Sequence, residues 1–281
     1  MSTEPIISSH IGPDVFRLNI GALIRHLRSR PDPAAKIAER FLNLFKQHGV
    51  EPTQIPYFIQ ALTLDKIRTP DSLIAALSHD ILNQTATLFG IQRSWLDGVD
   101  DRIYPHRTSY KSSSTFFDDL AAIWHSHDDC PVRVIHSERR ALDANADQDQ
   151  PMALILVETI KEVGNQIICR YHVYNDEWNW AYPKCRIQLK AIARIVNRRL
   201  GFPIPLYRTT PKQLESIIAG RLVPRAALTG PLITDPSLED YALSADESAQ
   251  AKETDELPAV FDNVASHDLE KHRLVIQGRD G

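Results

Sequence analysis

The stretch Ile81-Leu-Asn-Gln-Thr-Ala-Thr-Leu-Phe-Gly-Ile-Gln-Arg-Ser-Trp-Leu-Asp-Gly98 decides how the first third of this chain is read. Leu82, Ala86 and Phe89 recur at spacings of four and three, which places them on one face of a helix. Gly90 follows at once. It enters the left-handed region at no steric cost, so the helix is expected to stop there. Trp95 and Leu96 are then expected to fold back over the same apolar face as a lid. A helix, a glycine stop and a short apolar turn together read as the closing corner of a small helical bundle.

Upstream, the same period continues. Leu18, Ile20, Leu23, Ile24 and Leu27 mark a helix over 15–29 that Pro31 and Pro33 end. Asp32 is a natural N-cap, with Pro33 at the first helical position. Ile37, Ala38, Phe41, Leu42 and Phe45 give one face to a helix over 34–48, closed by Gly49. A short helix is expected within 53–62, another over 72–78 capped by Asp71, one over 80–89, and a terminal turn over 92–97. Nothing here alternates with period two, so 13–105 reads as an all-α domain.

Downstream the character changes. Polar residues 106–113 read as a linker. A helix is expected over 114–125, a strand over 132–135, an acidic loop over 142–151, and two strands over 153–163 and 166–174 joined at Gly164-Asn165. Helices over 185–200 and 211–219 complete a small α+β domain, 114–230. Residues 231–281 are rich in Asp, Glu, Ser and Ala with few large apolar side chains, and are expected to form a disordered acidic tail. The fold class is thus multidomain α and α+β.

The 281 residues are 43% hydrophobic, enough for real cores. No apolar run is long enough to cross a membrane. MSTEPIISSH has no basic-then-apolar leader. Cys130, Cys169 and Cys185 form no CxxC pair, as expected of a chain in a reducing, cytoplasmic setting. Charge is unevenly placed: 1–105 holds 11 basic and 11 acidic side chains, 106–230 holds 17 and 13, and 231–281 holds 4 and 12. A mildly basic body permits a polyanionic partner without demanding one.

Leu82, Ala86, Leu88, Gly90, Ile91, Trp95, Leu96 and Gly98 resemble the closing helices of the Cro/repressor (XRE) helix-turn-helix family, and the likeness extends over 15–105. It implies a helix-turn-helix bundle that binds double-stranded DNA. Two features depart from the family's pattern. Trp-Leu-Asp-Gly is one residue shorter than the commoner ending, and the segment in the place of the reading helix, 50–61, contains Pro52 and Pro56. Interior proline costs ~3 kcal/mol or more, so that helix requires Thr53 as N-cap and Pro56 in the first turn. Thr53, Gln54, Tyr57 and Gln60 are then the residues expected to face the major groove, where glutamine can read adenine edges. Arg25, Arg28, Lys46, Lys66 and Arg68 are the expected phosphate contacts. The 15–68 window carries 9 basic against 4 acidic residues, although Glu51 would repel phosphate.

Three further patterns stand out. His125-Ser-His-Asp-Asp-Cys130 offers zinc-type donors, but at a spacing better suited to a polar helix end. Tyr171, Tyr174, Trp178, Trp180 and Tyr182 suggest either the end of a core or a ligand pocket. Arg186, Lys190, Arg194 and Arg198 form a basic stripe that suits a solvated face, a phosphate surface or a docking site for the acidic tail. No GxGxxG, GxxxxGK[ST], HExxH or GxSxG occurs, so no catalytic residue, metal or cofactor is assigned. The sequence reading is a bacterial-type transcriptional regulator whose C-terminal domain binds an effector or forms a homodimer. The alternative is a protein-interaction component whose helix-turn-helix fold does not bind DNA.

Overall fold

The computed structural model describes residues 19–29, 32–110, 113–124, 131–137, 142–229, 232–233, 237–248 and 250–267. The expectations for 1–18, and the His125–Cys130 donor set, lie outside them.

The N-terminal helices are α1 (Ile20–Arg28), α2 (Pro33–Gln47), α3 (Pro70–Ala76), α4 (His79–Phe89) and α5 (Arg93–Leu96). Their ends follow local chemistry. The Asp32 side chain accepts from the Ala34 amide, with Pro33 in the first turn, as the sequence suggested. α3 instead begins at Thr69, whose hydroxyl accepts from the Ser72 amide while Pro70 takes the first position. Asp71 therefore lies inside the helix and does not cap it. Gly90 ends α4 with φ 65° and ψ 34°, the left-handed geometry expected.

The segment expected as a short helix over 53–62 is a six-residue 3-10 turn, Pro52–Tyr57. Glu51 and not Thr53 is its N-cap, because Pro52 lacks an amide hydrogen and takes the first helical position. Pro56 then falls inside the turn, which cannot lengthen into an α-helix.

The second half contributes α6 (Ser114–Trp124), β1 (Val132–His136), β2 (Pro151–Val163), β3 (Gln166–Asn179), α7 (Pro183–Leu200), β4 (Leu206–Arg208), α8 (Pro211–Ile218), α9 (Arg225–Leu228) and β5 (Leu232–Ile233). The strands form one mixed sheet in the order β3-β2-β1-β4-β5. β1 pairs antiparallel with β2 and parallel with β4, and β2 pairs antiparallel with β3.

Helices cover both faces of the sheet, which is why β2 begins with the unbroken apolar run Met152–Val157. Ile135, Ala153, Ile155, Ile168, Tyr171 and Val173 join the core of the N-terminal helices, together with Leu214 and Ile217 of α8. Val132, Val134, Leu154, Leu156 and Tyr174 face the other way, onto α6 and α7. The N-terminal helices and the sheet therefore share one continuous core.

The largest departure from the sequence reading lies in the acidic tail. Residues 237–248 and 250–267 are folded, with α10 spanning Leu257–Ala265. Leu238, Tyr241 and Ala242 enter the core beneath α7, and Leu257 and Val260 are buried as well. The Tyr241 hydroxyl donates to the Leu142 carbonyl at 3.2 Å. Low apolar content implies disorder only when the chain has nothing to pay for its ordering; here a few spaced apolar residues and a complementary basic helix supply it.

Candidate nucleic-acid interface

The residues expected to contact DNA lie on the helical layer. Arg25, Arg28, Lys46, Lys66, Arg68, Thr53, Tyr57 and Gln60 are exposed, and Gln54 is half-buried. Tyr57 is 61% exposed, unusually high for a large aromatic. In a 3-10 turn residues three apart eclipse one another, so Gln54 and Tyr57 stand in line. Several of these groups already have partners. The Gln54 Oε1 accepts from the Glu51 amide at 2.8 Å, closing the capping box of the turn. Lys66 Nζ donates to the Ala61 carbonyl at 2.9 Å, and Arg28 pairs with Glu39 at 2.8 Å. Ile55, Phe58 and Ile59 anchor the segment in the core.

The corner formed by the opening stretch is as its pattern demands. Leu82, Ala86, Phe89, Ile91, Trp95 and Leu96 are buried, Trp95 to 7% exposure. Arg40 fixes the lid: its guanidinium lies 5.4 Å over the Trp95 ring and donates to the carbonyls of Trp95 and Asp100. One of the basic residues counted in the 15–68 window is thus used internally.

Sequence reasoning missed the residues that hold this surface to the sheet. Lys161 Nζ donates to the Tyr57 carbonyl at 2.9 Å and sits 5.8 Å over the Phe58 ring. Gln166 Nε2 donates to the Gly49 carbonyl at 2.6 Å, and Arg170 Nε to the Leu88 carbonyl at 2.9 Å. His48 closes the joint. Its Nδ1 lies 2.8 Å from the Cys169 carbonyl and its ring packs 4.1 Å from Phe89 and 5.4 Å from Tyr171, between centroids. Burial pushes this imidazole down to about 3, and Arg225 adds to the effect. A neutral His48 therefore sits in the joint at neutral pH. These are long-range pairings between residues about 80 to 120 positions apart, which no local periodicity reports.

The basic stripe of α7 is not an open phosphate surface. Arg186 Nη2 and Lys190 Nζ approach the Glu256 carboxylate at 2.5 and 2.6 Å, and Lys190 also meets Glu253 at 2.8 Å. Arg194 and Arg198 both pair with Glu247. Lys190 is 0% exposed and its ammonium lies 5.5 Å over the buried Trp180 ring. The arginine pairing holds the Glu247 carboxyl far below the usual carboxylate range. Of the aromatic cluster, Tyr171, Tyr174, Trp178 and Trp180 are core, whereas Tyr182 is 46% exposed.

Among the described residues no group of three or more His, Cys, Asp or Glu could hold a metal ion, and no helix is long and apolar enough to cross a membrane. No protein-family model, no curated protein and no solved structure matches the chain. Nothing in these comparisons bears on the resemblance to the Cro/repressor family.

Proposed function

We propose that this protein is a DNA-binding transcriptional regulator whose helical layer contacts duplex DNA and whose sheet layer serves effector binding or self-association as a homodimer. The observation that carries the proposal is the disposition of positive charge. Arg186, Lys190 and Arg194 of the α7 stripe are held by the chain's own glutamates and largely buried, while Arg25, Arg28, Lys46, Lys66 and Arg68 are exposed on the helical layer, as are Thr53, Tyr57 and Gln60, with Arg28 paired to Glu39. Lysine and arginine on phosphates supply register and most of the affinity, and the groove-facing polar residues supply preference. With Gln54 engaged as a cap, Tyr57 and Gln60 carry the base contacts.

The test is a pair of variants on a duplex from the region upstream of its own coding sequence. Arg28→Ala should weaken binding to all duplexes alike, while Gln60→Ala should narrow the gap between specific and random duplexes. Equal affinities for wild type and both variants would remove the proposal.

One observation favours the second reading, a protein-interaction component. The element in the reading position is a six-residue 3-10 turn containing Pro52 and Pro56, shorter than the helices that enter a major groove. That reading is supported if the protein gives no duplex binding at low salt.

A further inference from the structure

We infer that the cleft between the start of α7 and the end of α10 is a binding site for a small hydroxy- or amino-carboxylate. The cleft has a volume of about 450 Å³, within the range of small-molecule sites. It is lined by Tyr110 and Ser113, by Lys184, Ile187 and Gln188 of α7, and by Asn263 of α10 with Ser266 and His267 just beyond its end.

Three features define the ligand. Among the described residues that line the cleft, Lys184 carries a full positive charge and none is a carboxylate, so this lining favours an anion. Asn263 Oδ1 is buried and accepts no hydrogen bond from the described residues. A buried acceptor left without a donor costs ~1–3 kcal/mol, and a ligand N–H or O–H relieves that cost. Tyr110 and Ile187 supply apolar surface, the Tyr110 ring packing edge-on to Trp178 at 5.5 Å, and Gln188 Nε2 is tied to Ser113 Oγ at 2.7 Å. An anionic end for Lys184, a donor for Asn263 and a short carbon skeleton over Ile187 together describe a hydroxy or amino acid.

The position of the cleft gives the ligand a consequence. Its walls come from Tyr110 and Ser113 of the linker, from α7 and from the C-terminal segment, and Gln188 already ties this linker to α7 through the Ser109 carbonyl at 3.2 Å. An occupant would join the linker leaving the helical layer to the segment that covers the basic stripe. Treating it as the regulator's effector rests on the proposed function; its binding does not.

The experiment is isothermal titration of the full-length protein, without DNA, against the free amino acids and against lactate, malate and citrate, with propionate as an anion that lacks a donor. At least one hydroxy or amino acid should bind and propionate should not. Lys184→Gln and Asn263→Ala should each weaken binding about tenfold or more, the loss of one strong polar contact. Lys184→Gln alters an exposed side chain and keeps the test valid should Asn263→Ala fail to fold. No binding by any compound, or equal binding by wild type and Lys184→Gln, would overturn the inference. Either result leaves the DNA reading to its own assay.

Discussion

Replacing Glu256 with glutamine keeps the shape of the side chain and removes its charge. In the folded chain this carboxylate lies 2.6 Å from the ammonium of Lys190, which is 0% exposed, and 2.5 Å from the guanidinium of Arg186, which is 4% exposed. Unit charges about 4 Å apart attract by roughly 4 kcal/mol at an effective dielectric near 20, and removing one partner of a buried pair costs ~3–5 kcal/mol. Glu253 stays on Lys190 at 2.8 Å and offsets part of this, so the expected loss is about 3 kcal/mol. Urea unfolding followed by tryptophan fluorescence reads it, since Trp180 lies directly beneath Lys190. Arg198→Ala is the internal contrast. Its side chain is 53% exposed, and a surface pair contributes only ~0–1 kcal/mol. A Glu256→Gln loss under about 1 kcal/mol, no larger than that of Arg198→Ala, would refute the reasoning that Glu256 compensates the buried charges of Lys190 and Arg186.

Three further outcomes follow from the same contacts. Trp95→Ala should cost ~3–5 kcal/mol, as for other large aromatic deletions in cores; a loss under ~1 kcal/mol in thermal or urea unfolding would place the residue on the surface. Gly49→Ala should cost about 2–3 kcal/mol in the same assay, because φ is +83° and an added Cβ would stand 2.6 Å from Arg225 and Gln166. Because burial holds the folded His48 imidazole at about 3 against 6.5 when unfolded, its neutral form gives full stability above about pH 6.5. That stability falls by up to about 1.4 kcal/mol per pH unit as the pH drops toward 3. His136, pushed down to about 4 chiefly by burial, acts in the same direction. His48→Phe should flatten the pH profile of stability between 6.5 and 4, and an unchanged profile would contradict the buried neutral state.

What the sequence revealed and what it hid follow from the range of the forces involved. The corner built by Leu82, Ala86, Gly90, Trp95 and Leu96 was legible because each signal lies within a few residues of its partner. So were Asp32 with Pro33 and the Gly164-Asn165 hairpin. β4 was invisible, because Leu206–Arg208 is a strand only by pairing with β1, some 70 residues earlier. The C-terminal segment was misread because composition averages over 231–281, whereas Leu238, Tyr241, Glu247 and Glu256 act one at a time against α7. In the candidate interface, residue type and exposure were readable. The cap of the 3-10 turn was not, since Pro52 shifted it by two residues and drew Gln54 into it.

The most direct test of the central proposal is the affinity of the full-length protein for duplex DNA across a potassium chloride series. Three to five of Arg25, Arg28, Lys46, Lys66 and Arg68 on phosphates predict a straight fall of log K with log salt, at about 0.9 per neutralised phosphate and so a slope of roughly −2.7 to −4.5. Binding no tighter than micromolar to every duplex at low salt, or a slope near zero, would contradict it.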